Sequence, residues 1–163
     1  MHAYRILHVR YAKTPLDGEG SFRYGGRWNN IGTRLAYTSS TISLAQLEYL
    51  VSLPEELLPT GLVVAVADVP DDLIETFDTS ALPRDWRDIP APSETQAIGD
   101  QWARTGTKPV LAVPSVFVPL DAVDERNCLI NPLHRGFSRI KLLKPIPFAY
   151  DARLKLPRER HRR

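Results

Sequence analysis

The chain has 163 residues, 43% hydrophobic and 25% charged, the balance of an ordinary globular domain long enough to bury its own core. No window approaches the roughly 18 uninterrupted apolar residues of a membrane span, and the N-terminus lacks a signal-peptide core. The single Cys128 excludes an internal disulfide framework and suits a reducing compartment, so a cytoplasmic location is expected.

In chain order, residues 4–9 read as an opening strand, and the Gly-rich, polar stretch 13–33 as a long loop. Residues 35–38 read as a short strand. Ser39, Ser40 and Thr41 offer N-cap candidates for a helix that runs to about Leu53 and stops at Pro54. Residues 62–69 (Leu-Val-Val-Ala-Val-Ala-Asp-Val) predict a buried strand closed by a Pro70-Asp71-Asp72 turn. Residues 74–77 follow as a short strand, and 78–92, with Pro83, Pro90 and Pro92, as irregular chain. Ser93 and Gln96 form a capping box for a helix over 94–104, with Ile98 and Trp102 on one face. Two strands, 110–113 and 116–118, flank Pro114-Ser115. Leu129-Ile130 runs into an Asn131-Pro132 turn, and 139–150 completes the sheet at an edge, where Pro145 and Pro147 are tolerated. Short strands outnumber helices and lack βαβ spacing, which predicts an α+β domain with a mixed, strongly bent sheet.

Charge divides the chain unevenly. The net charge is +2, yet residues 153–163 carry six Lys or Arg against one Glu, leaving 15 basic and 18 acidic residues before them. Residues 1–152 read as one domain and 153–163 as a basic tail. The tail is either a solvated terminus or a binder of nucleic acid or an acidic partner, whereas nucleic-acid binding by the acidic body is not expected.

Gly25-Gly26-Arg27-Trp28-Asn29, Tyr37 and Glu48 bring a cation, an aromatic and a carboxylate within 22 residues, around glycines that let backbone approach a ligand. Glu48 is the oddest by pattern. Leu44, Leu47, Glu48 and Val51 fall on one helical face, which puts a carboxylate in an otherwise apolar stripe. It is either ion-paired to an arginine, at the stripe's edge, or used. Arg27 is either a phosphate anchor or a surface arginine, and Tyr37 either stacks on a ligand ring or packs in the core. Ser115 either contacts a ligand or shapes a bulge. Gly18-x-Gly20 is no dinucleotide fingerprint, because Arg23 replaces the third glycine, and no Gly-Lys-Ser/Thr phosphate loop exists. Ser115 lacks a nucleophile-elbow pattern. His2, His8, His134 and His161 are too scattered for a metal motif, so no metal site is expected.

Taken in order, Tyr4-Arg5-Ile6, Gly25 to Asn29, Ala36-Tyr37-Thr38-Ser39, Ala45 to Glu48, Trp102, Val110 to Ser115 and Leu129 to Pro132 resemble the RES-domain family over nearly the whole chain. The resemblance implies a fold similar to ADP-ribosyltransferases and a bacterial toxin that depletes NAD by cleaving its nicotinamide–ribose bond, through hydrolysis, phosphorolysis or ADP-ribosyl transfer. NAD is then a substrate, with no separate cofactor. It also implies an Xre-like helix-turn-helix antitoxin that occludes the active site, with self-association left open. Arg27, Tyr37 and Glu48 match the family's catalytic positions; Arg27, Tyr37, Ser115, Trp28 and Asn131 would bind NAD. Gln46-Leu47-Glu48 stands where arginine-directed transferases carry Glu-x-Glu, so the acceptor stays open. The competing reading is a nucleic-acid-binding or RNA-targeting toxin acting through the tail.

Overall fold

Alternation along the first strand decides the layering. In β1 (His2–His8), Tyr4 and Ile6 pack into one apolar cluster while Ala3 and Leu7 join clusters on the opposite face. β3 (Leu62–Asp68) pairs antiparallel with β1 along its whole length, and its continuous apolar run is buried on both faces, as the sequence predicts. The computed structural model describes residues 1–53, 59–120, 125–151 and 153–154. Pro54, Ala152 and the tail from Lys155 onward lie outside the described residues.

The remaining strands are β2 (Ala36–Ser39), β4 (Ile74–Thr76), β5 (Val110–Val113), β6 (Asn127–Ile130), β7 (Lys141–Leu142) and β8 (Ile146–Phe148). They form one mixed sheet in the order β4-β5-β6-β2-β1-β3-β7, with β8 also on β3 and the β4–β5 pair parallel. The chain is therefore a single α+β domain with a mixed sheet and few helices. The pairing is uneven at one point. β1 and β2 share the single registered pair Tyr4↔Ser39, whereas β1 and β3 match from His2↔Asp68 to His8↔Leu62. Past Tyr4 the β1–β2 ladder stops, and the sheet opens there.

The helix α2 (Ile42–Leu50) packs on β1 beside that opening. Of the three cap candidates Thr41 is the one used: its hydroxyl accepts the Leu44 N–H at 3.1 Å. The expected stripe is out of phase. Leu44 and Ala45 are buried, while Leu47 and Val51 are 46% and 60% exposed. The small Ala45 lets the helix settle on Ile6 and Val64, so the face rolls toward Ala45. Glu48 still follows Leu44 by four residues and Ala45 by three, and stays half-buried on the sheet side.

Four further expectations change. The stretch 13–33 contains a short helix, α1 (Glu19–Tyr24), held by the Asp17 carboxylate accepting Glu19 N–H at 3.0 Å and by a Glu19–Arg23 pair at 2.6 Å. Six residues are too few to display an apolar period. The helix α3 (Ser93–Thr105) is capped by Pro92, not by a Ser93–Gln96 box: Ser93 is already helical, and Gln96 donates to the Gly26 carbonyl at 3.1 Å. Residues 116–118 form a turn rather than a strand, because Phe117 N–H donates to Ser115 Oγ (3.2 Å) and Val118 N–H to the Ser115 carbonyl (3.3 Å). The closing stretch splits into β7 and β8, both on the outer edge of β3. Among the described residues no helix is long and apolar enough to cross a membrane.

Candidate active site in the split sheet

The opening between β1 and β2 is a cleft of about 540 Å³, with Tyr37 and Ser39 from β2, Glu48 from α2 and Asn127 from β6 on its wall. The antiparallel register sets Ser39 opposite both Tyr4 and Asn127, so three strands converge where α2 delivers Glu48. No short sequence motif could assemble this group, since Asn127 lies 79 residues from Glu48.

Glu48 is held by neutral donors. Ser115 Oγ–H donates to Glu48 Oε1 at 2.8 Å, and Asn127 Nδ2–H donates to the same oxygen. The Asn127 carbonyl in turn accepts from Ser39 Oγ at 2.9 Å. The ion pairs among the described residues do not include Glu48. The structural alternative of a carboxylate neutralised by arginine therefore fails. Both hydrogen bonds among the described residues land on Oε1, and Glu48 itself lines the cleft.

Arg27 lies close enough for its charge to act on Glu48 and Tyr37. Its Nη1 donates to the Trp86 carbonyl and, at 3.1 Å, to that of Asp88. Burial pushes the guanidinium below its ordinary value, opposed by the charges of Glu48, Tyr37 and Asp88. Backbone carbonyls thus orient Arg27 without cancelling its charge, which an aspartate in their place would do. Tyr37 donates its phenol O–H to Asn29 Oδ1 at 2.7 Å and accepts the Trp28 N–H at 3.0 Å. Burial pushes that phenol well above its ordinary value and keeps it neutral.

The paired glycines turn out to serve the protein's own packing. Gly25, at φ 70°, ends α1, and a Cβ on Gly26 would sit 2.5 Å from the Tyr37 hydroxyl. The Trp28 ring is 1% exposed and packs edge-on against Phe77 at 5.6 Å, so only its backbone reaches the site. Asn131 stands apart. It follows β6 at the end opposite Asn127, about 13 Å along the strand. Its amide N–H donates to the Ala103 carbonyl (2.8 Å) and its carbonyl accepts Leu133 N–H (3.0 Å). Arg27, Tyr37, Glu48 and Ser115 converge; the Trp28 side chain and Asn131 build the scaffold. The sequence marks Ser39 only as a cap candidate and a member of a matching segment, and Asn127 not at all, because a serine and an asparagine in strands carry no site signature until register joins them.

The fold that carries this site, a mixed α+β sheet with few helices, is also seen in a solved toxin–antitoxin complex. The chain superposes on a chain of the crystal structure of the M. tuberculosis MbcT–MbcA toxin–antitoxin complex with a TM-score of 0.58 and 18% identity, covering 91% of this chain and 84% of that one. It belongs to the RES domain family, whose model matches residues 2–151. Among its relatives are two proteins named Toxin Res, from Photorhabdus laumondii and Yersinia enterocolitica. Each is 36% identical over 156 residues, spanning 94% and 95% of this chain and 97% and 100% of theirs. A protein of a Sphingobium species named Prs ADP-ribosylating toxin is 35% identical over 88% of this chain and 89% of its own.

Proposed function

We propose that this chain is the toxin of a bacterial toxin–antitoxin pair and that it depletes NAD by cleaving the nicotinamide–ribose bond. The observation that carries this reading is Glu48: a carboxylate fixed by Ser115 and Asn127, without a paired cation among the described residues, at the mouth of a cleft. When the C1′–N bond breaks, the electron pair leaves with nicotinamide, which becomes neutral, and the ribose becomes an oxocarbenium ion. A prepositioned anion beside that cation lowers the barrier, and Oε2, which bonds to none of the described residues, suits a ribose hydroxyl. Nicotinamide departs without protonation, so no general acid is required. Arg27 positions the substrate's polar half, neutral Tyr37 packs against the flat ring, and Ser115 acts through Glu48.

A nucleophile then bonds to C1′ and releases its proton. Water, inorganic phosphate or a protein side chain each completes the balance. The Sphingobium relative's name favours a protein acceptor as a specific second reading. We place the reaction in the cytoplasm, where an Xre-like antitoxin would cover the cleft until it is removed.

The test is to incubate the chain with NAD, with and without phosphate and cell lysate, and to identify products by mass spectrometry. Nicotinamide release is expected, with Glu48→Ala slower by at least about 100-fold while circular dichroism stays native. Equal rates for wild type and Glu48→Ala would overturn the assignment.

A further inference from the structure

The helix that carries Glu48 is thinly packed for an element that places a reactive group. Of the nine residues of α2 only Leu44 and Ala45 are buried, while Leu47 and the cap residue Val51 are exposed. A helix this short draws its stability from tertiary contacts rather than from its own hydrogen bonds. Ser115 and Asn127 hold the carboxylate tip of Glu48 from the β5–β6 side of the sheet. Bonds at the tip of a side chain leave the backbone turn beneath it to be fixed from elsewhere.

The second hold comes from the opposite edge of the sheet. β8 pairs with β3 through Leu62↔Phe148, and two residues on, the Tyr150 phenol O–H donates to the Gln46 carbonyl at 2.7 Å. The Tyr150 ring lies nearly parallel to that of Tyr49, with centroids 6.4 Å and planes 17° apart. Phe148 braces it edge-on at 5.0 Å and 82°. Gln46 and Tyr49 bracket Glu48 in the chain, two residues before it and one after. A hydrogen bond and a ring stack from one side chain thus grip the turn of α2 from which Glu48 projects. Tyr49 also lines the cleft, so the same stack fixes part of its wall. Burial, and then the neighbouring Tyr49 phenol, push the Tyr150 phenol up to about 12, which keeps it a donor through the neutral range.

We propose that Tyr150 is a positioning residue: a latch from the edge of the sheet that sets the α2 turn bearing Glu48, so that the carboxylate meets Ser115 and Asn127. The closing strand of the sheet thereby acts on a helix residue 104 positions away in sequence. The part Tyr150 plays in the reaction rests on the NAD-cleavage reading; the latch itself does not.

Two variants test it. Tyr150→Phe keeps the ring stack and removes the bond, whereas Tyr150→Leu removes both. Amide hydrogen exchange of the full chain reads the latch with no substrate present. In Tyr150→Phe the amides of residues 48–50 should exchange about fivefold faster while those of β1 stay as they were, and in Tyr150→Leu faster still. Unchanged exchange in α2 in both variants, or a rise shared equally by β1, overturns the latch whether or not NAD is cleaved. In the NAD assay, Tyr150→Phe should lower kcat about fivefold with KM within about twofold, and should add no further loss to Glu48→Ala. An undiminished kcat in Tyr150→Phe, or a loss that multiplies with that of Glu48→Ala, overturns the positioning role and leaves the cleavage reading standing. A wild type that leaves NAD whole defeats the cleavage reading instead, and the exchange rates then decide the latch alone.

Discussion

Asn127 shows what single residues do at this site. Its amide spans two groups, donating to Glu48 and accepting from Ser39, so it fixes the carboxylate's rotation and presents a neutral donor to it. Replacing it with aspartate keeps the shape and sets a second negative charge against Glu48. Like charges at contact distance resist joint ionisation. Asn127→Asp should therefore lower the rate at least about tenfold, whereas Asn127→Ser, which keeps a neutral donor, should lower it less. Equal rates for the aspartate and serine variants would mean that Asn127 only packs.

At the scale of elements, the loop from Gly25 to Arg34 is positioned by a helix against its backbone. A Cβ on Gly99 of α3 would lie 1.7 Å from the Trp28 carbonyl oxygen, so only glycine lets α3 lie directly on the loop. The same helix anchors the loop twice more: the Asp100 carboxylate accepts Asn30 N–H at 3.1 Å, and Gln96 reaches the Gly26 carbonyl. In an open helix Gly→Ala stabilises by about 1 kcal/mol. Here the sign reverses. Gly99→Ala should lower the melting temperature and, by shifting Trp28 and Arg27, reduce the proposed NAD cleavage as well; a raised melting temperature would refute the close approach. That dual role explains why residues 13–33 read as a mere loop. Its order comes from α3 and from Tyr37, which are distant in sequence.

Across the whole molecule, buried thiol and phenol groups set the response to alkali, Cys128, Tyr150 and Tyr37 most strongly among the described residues. Burial pushes the Cys128 thiol and the Tyr150 phenol up to about 12, and Tyr37 higher still. In the unfolded chain these groups ionise from their ordinary values of 9.0 and 10.0. Above those values the unfolded state binds fewer protons than the folded one, so stability is full below about pH 9 and falls as pH rises. Urea melts from pH 8 to 11 should show this decline. Tyr37→Phe should be less stable at pH 8 by about 1–2 kcal/mol, having lost the bonds to Asn29 and Trp28, yet should decline less steeply. Identical slopes would mean that the Tyr37 phenol ionises freely in the folded chain.

What the residue order determined alone is local and periodic: the buried run of β3, the helices around Glu48 and Trp102, an α+β mixture of short strands, and a carboxylate facing the sheet. Those readings need only spacing, because side-chain period follows from backbone geometry. Glu48 was identifiable because a charge in an apolar stripe contradicts its surroundings, even though Ala45 rather than Leu47 completes that stripe. The sheet's opening at Tyr4↔Ser39, Asn127 against Glu48, the scaffold role of Asn131, and Gly26 yielding its space to Tyr37 were decided by tertiary structure. Each depends on strand register or on contact between distant segments, and no sequence period encodes either.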